Sequence, residues 1–143
     1  MPEIPWTYVS RLMSAAANAA EERGLTVAIA VTDRDGSPIG ALRMAGVPPL
    51  LGRIALAKAY SAASFRRDSG GLTAVEEAAP SLVAAASDIG DHPIVTVDGG
   101  LVIRDGDDVV AAIGISGASA EQDVEIARAA MSAHPVGAWV SAG

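Results

Sequence analysis

Leu25–Met44 reads LTVAIAVTDRDGSPIGALRM, and the fold class follows from that stretch. Leu25–Asp33 is rich in β-branched residues and nearly unbroken in apolar character, the pattern of a central strand covered on both faces. Arg34-Asp35-Gly36-Ser37 follows as a tight turn, because Asp-Gly accepts the positive φ that hairpin turns demand. Pro38–Met44 then runs back as a second strand. Strands joined this closely pair antiparallel, which makes the class α+β rather than an alternating α/β winding.

Further along, Gly99-Gly100 and Asp105-Gly106-Asp107 punctuate three more strand candidates, Ile94–Asp98, Leu101–Arg104 and Val109–Ser116. The expectation is therefore one antiparallel sheet of roughly five strands. Helices fill the rest. Trp6–Arg23 carries the stripe Val9, Leu12, Met13, Ala16, Ala17 and Ala20 and stops at Gly24. Pro49–Phe65 begins behind Pro48, where a proline is tolerated in the first turn. Leu72–Ser87 reads as short helical pieces broken at Pro80. Ala120–Ala133 closes the chain, with Ser119 as N-cap and acids in its first turn. The last nine residues show no pattern. A chain of 143 residues without linker or repeat is expected to be one domain over 1–143.

Bulk properties exclude several functions. A net charge of −7 is the wrong sign for a nucleic-acid surface. The absence of cysteine removes thiol catalysis and thiolate metal sites. His92 and His134 lack any metal-ligand spacing, so no metal site is expected. No apolar run is long enough for a bilayer, and MPEIPWTYVSRL lacks the basic start of a signal peptide, so a cytoplasmic protein is expected. A mean hydropathy of +0.34 is high for a small monomer, which predicts a homo-oligomer.

The chemistry concentrates on the helix after the hairpin. Leu51, Ile54, Lys58, Ser61, Ala62 and Phe65 share one face of it, apolar apart from Lys58 and Ser61. A lysine in such a stripe requires an acid, a wet cavity or a route to solvent. Either Lys58 is a structural cation, or it lines a pocket and meets a ligand anion or a proton in transit. A cofactor-free acid–base site is one way to use it. Lys58 or Tyr60 would then be the acid or electrostatic stabiliser, and Asp33 or Asp123 the base.

Certain motifs, in this order, carry a family resemblance. They are VAIAVTDRDG at Val27–Gly36, Leu42-Arg43-Met44, Lys58-Ala59-Tyr60-Ser61-Ala62 with Phe65, Gly99-Gly100, Ala112–Gly117 and Asp123. The sequence resembles the GlcG/HbpS family, the haem-binding or "haem-degrading" domain also found at the C-terminus of PduO-type proteins. Ala45 stands where members commonly carry an acid. The resemblance implies a profilin-like sandwich that assembles into oligomers up to octamers. It also implies a pocket that in some members holds haem or another tetrapyrrole. One haem-binding member brings a threonine to the iron from the loop where Ser69 stands here. The implied ligand site comprises Arg43, Lys58, Ser61, Phe65 and Ser69, with Lys58 or Arg43 holding a carboxylate. The small aromatic content, 3%, offers little to stack on a porphyrin and leaves a smaller ligand or the acid–base enzyme open.

Overall fold

The computed structural model describes residues 3–137. The outermost ends of the expected 1–143 domain and most of its patternless tail lie outside them. The elements run α1 (Trp6–Glu22), β1 (Ala28–Asp33), β2 (Pro38–Arg43), α2 (Pro49–Phe65), α3 (Leu72–Ala78), α4 (Pro80–Ile89), β3 (Gly100–Asp105), β4 (Asp108–Ser116) and α5 (Ala120–Ala133). The sheet has four strands in the order β2-β1-β4-β3, every pair antiparallel. The class is α+β as expected.

The fifth expected strand is the correction. Ile94–Asp98 has strand composition but joins no ladder. Its backbone is satisfied by hydroxyls instead. The Ile94 N–H donates to Ser87 Oγ at 2.9 Å and the Val95 N–H to Ser61 Oγ at 2.8 Å. The Thr96 carbonyl accepts from Thr73 at 3.0 Å and the Val97 carbonyl from Ser69 at 2.6 Å. Side chains that meet backbone groups this way compete directly with sheet pairing. The free edge of β3 is closed by the loop after α2, since Gly100 N–H donates to Ser69 Oγ at 2.9 Å and Val102 N–H to Asp68 Oδ1 at 3.0 Å.

Alternation along the strands sorts residues by size. Ile29, Val31, Leu101, Ile103, Ile113 and Ile115 point to one face, where they bury Val9, Leu12, Met13 and Ala16 of α1 and Ile126, Ala127 and Ala130 of α5. The opposite face is made of Ala28, Ala30, Ala112, Gly114 and Gly100, with Val102 and Val109, and α2 lies on it through Ala55, Ala59, Ala62 and Ala63. The deepest side of α2 is this alanine row. The expected stripe is rotated from it: Leu51, Ile54 and Phe65 are only half-buried. Small residues on both partners let the helix backbone approach the sheet. A Cβ on Gly114 would lie 1.9 Å from the Ala55 carbonyl oxygen, and one on Gly100 2.2 Å from that of Lys58.

The α1/α5 layer is tied at its end by Tyr8, whose hydroxyl donates to the His134 carbonyl at 3.0 Å. Burial pushes this phenol up to about 12 from its ordinary 10.0. A folded-state value above the unfolded one gives stability that is whole below pH 10 and lost as pH rises towards 12. Tyr8→Phe is thus expected to lose less stability than the wild type between pH 9 and pH 12, by up to about 2 kcal/mol in urea unfolding. Parallel losses in the two proteins would refute a buried, proton-holding Tyr8.

Candidate functional site

The polar residues of α2 project in different directions and meet different partners. Lys58 is buried, 4% exposed, and so is Asp123, 2% exposed. The ammonium donates to Asp123 Oδ2 at 3.1 Å and to the Ile115 carbonyl at 2.9 Å, and Asp123 Oδ1 accepts the Ala118 N–H at 3.1 Å. α2 and α5 lie on opposite faces of the sheet, so the ion pair bridges them past the end of β4. Gly99, at φ +122°, makes room: a Cβ there would stand 2.7 Å from Lys58 Nζ. Burial pushes the Asp123 carboxyl above its ordinary value, against the opposing pull of Lys58 and of the Ala118 N–H.

Ser61 and Ser69 are consumed in the same structural way. Ser61 Oγ donates to the Ala57 carbonyl at 2.7 Å and accepts from Val95 at 2.8 Å. Ser69, fully buried, donates to Val97 and accepts from Gly100. Its O–H is spent on Val97, one lone pair takes the Gly100 N–H, and the side chain is fully buried, so Ser69 is not presented for axial ligation of a haem iron. Tyr60 accepts the Asp91 N–H on its hydroxyl at 3.2 Å and meets the His92 ring edge-on, 5.0 Å between centroids. Asp33 organises the β1–β2 turn, with Oδ1 accepting from Asp35 N–H at 2.9 Å and Ser37 N–H at 3.0 Å. It lines a cleft of about 410 Å³ together with Glu3, Asp35 and Arg34, three acids and one cation.

Arg43 is the expected ligand residue that the fold leaves on an open cleft. It lies between β2 and the first turns of α2, holds about 340 Å³, and is lined by Leu42, Pro49 and Leu56 with Arg43 and Arg53. No acid lines it. Arg43 donates through Nη1 to the Val47 carbonyl, which fixes the guanidinium near the mouth. An apolar floor with two cations and no carboxylate suits the carboxylate-bearing end of an apolar ligand. Arg53 was not legible as a partner of Arg43, because β2 and α2 are joined by a loop whose course composition does not reveal. Its one sequence signal is that it is the first cation of α2. Thus Arg43 and Arg53 come together, Lys58 and Asp123 come together, and these two pairs do not share a cleft. Among the described residues no cluster of His or carboxylates is suited to a metal ion, and no helix is long and apolar enough to cross a membrane.

The family model described as the haem-degrading, HbpS-like proteins matches residues 4–132. This chain belongs to the HbpS-like family. Solved structures agree. HbpS itself superposes with a TM-score of 0.82 at 29% identity, covering 93% of this chain and 91% of that one. The haem complex of PduOC gives 0.81 at 25% identity, over 92% and 95% of the two chains. Protein ORFY of Klebsiella pneumoniae gives 0.81 at 26% identity, over 92% and 91%. No protein of curated function matches the sequence significantly. The HbpS-like assignment joins the four-stranded sheet and the α2 helix packed on it to a haem-related group of binding proteins.

Proposed function

We propose that this HbpS-like chain binds haem or another tetrapyrrole as a homo-oligomeric small-molecule-binding protein of the cytoplasm. The carrying observation is the family match over residues 4–132, together with a 25%-identical relative captured as a haem complex. The open, acid-free cleft at Arg43 supports a ligand with an apolar body and carboxylates. Leu50, Leu82 and Ile89, each more than half exposed, support assembly into oligomers. The rival acid–base enzyme would rest on Lys58, Tyr60, Asp33 and Asp123. It gains less support, since Lys58 and Asp123 are each other's partners and Asp33 is occupied by its turn.

Titration with haemin at micromolar protein tests the proposal. A shifted Soret band that saturates at a fixed stoichiometry per chain is expected, and native mass spectrometry should report that ligand on an oligomer. An unshifted band, with no co-purified tetrapyrrole, would refute it.

A further inference from the structure

We infer that Arg43 and Arg53 form a carboxylate clamp, and that the cleft between β2 and α2 receives the acid-bearing end of the ligand. The inference rests on the binding function proposed above and assigns its polar half to two residues.

Four observations carry it. First, the chain is acidic overall, at −7, yet this cleft gathers two guanidiniums and no carboxylate. Like charges lining one cleft without a counter-ion raise each other's free energy, and a bound anion relieves this. Second, Arg53 makes no ion pair or hydrogen bond among the described residues, so its five donors are uncommitted. Elsewhere the ion-paired arginines Arg23 and Arg66 have acids within 4.0 Å. Third, Arg43 spends Nη1 on the Val47 carbonyl, which limits the rotamers of its side chain and leaves its remaining N–H groups to an incoming oxygen. Fourth, Gly52 sits on the same wall with nothing within 4 Å of where a Cβ would be, so the space above the helix is open.

Around the cations the surface is apolar: Leu42, Pro49 and Leu56 line the cleft, and Leu50, 62% exposed, lies next in sequence. The chemical class that matches is a flat or extended apolar body bearing one or two carboxylates. Guanidinium recognises a carboxylate through parallel N–H···O bonds, which a neutral ester does not reproduce. A propionate-bearing tetrapyrrole belongs to this class.

The experiment compares haemin with its dimethyl ester on four proteins: wild type, Arg53→Ala, Arg53→Lys and Arg128→Ala. Arg128 lies on α5, across the sheet, and serves as a charge control. Wild type is expected to bind haemin at least tenfold more tightly than Arg53→Ala does, with Arg53→Lys between them and Arg128→Ala unchanged. The ester is expected to bind more weakly than haemin and to be indifferent to Arg53→Ala. Raising the salt should narrow the haemin difference. Arg43→Ala is expected to weaken binding too, but it also frees the Val47 carbonyl, so Arg53 decides the matter. If haemin binds and neither esterification nor Arg53→Ala weakens it, the clamp is refuted while tetrapyrrole binding stands. If haemin does not bind the wild type at all, both fall.

Discussion

Lys58→Met is expected to lower stability by about 3–5 kcal/mol, the usual consequence of stranding one member of a buried ion pair. Asp123 would remain buried, keeping only the Ala118 N–H. Asp123→Leu should do comparable damage, because it leaves an ammonium facing only the Ile115 carbonyl. The double replacement Lys58→Met/Asp123→Leu should recover more than half of either loss. Desolvating both charges is expensive, and a well-packed apolar pair of similar size often does as well. Urea unfolding of the four proteins measures this. Additive losses would mean that the two side chains act independently, contrary to their 3.1 Å contact.

The pair also sets a pH dependence. Asp123 has a folded-state pKa raised above its ordinary value, chiefly by burial. Its contribution is therefore fully present below that ordinary value and declines as pH rises through the folded one. Asp123→Asn, which keeps an oxygen for Ala118, should lack this decline. In Lys58→Met the opposing pull of the ammonium is gone, so the penalty should be smaller in acid, where the carboxyl is neutral, and larger near neutrality.

Gly114→Ala is the second large effect, expected at about 3 kcal/mol or more. The added methyl would stand 1.9 Å from the Ala55 carbonyl oxygen and 2.9 Å from the Ala59 nitrogen. Both are backbone atoms of α2, so no side-chain rotation relieves the clash. The helix itself must lift, and the alanine rows that hold it would separate. Gly52→Ala is the same chemical change made in α2 itself rather than in β4, and it has the opposite expected sign. Nothing lies within 4 Å of that Cβ, and alanine is favoured over glycine in a helix interior by about 0.5–1 kcal/mol. Thermal or urea unfolding compares them. A Gly114→Ala protein as stable as the wild type would refute the close approach of α2 to the sheet.

Much of the architecture is legible locally. The Asp-Gly turn, with Gly36 at φ +87°, and the helix stop at Gly24, φ +68°, both use the left-handed backbone that glycine allows, and both lie where the residues place them. Ala120–Ala133 has the bounds expected from Ser119, and its capping box with Gln122 is intact. The Ile94–Asp98 strand failed for a non-local reason. Its bonding partners are Ser61, Ser69, Thr73 and Ser87, hydroxyls that arrive from α2, the loop after it, α3 and α4. Strand composition states a preference for extended backbone and says nothing about who supplies the hydrogen bonds.

The site follows the same division. That Lys58, on an otherwise apolar helix face, needs an acid, a wet cavity or a route to solvent is a statement about burying charge, and the sequence alone makes it. That the anion is Asp123, 65 residues away, was decided when α2 and α5 docked on opposite faces of one sheet and met at the end of β4. Local patterning of hydrophobicity and turn residues thus set most of the elements, whereas packing decided the deepest face of α2 and the fate of Ile94–Asp98. Only tertiary packing chose which charges neutralise each other inside and which pair, Arg43 and Arg53, is left lining an open cleft, because that choice depends on distances between segments that the chain itself keeps far apart.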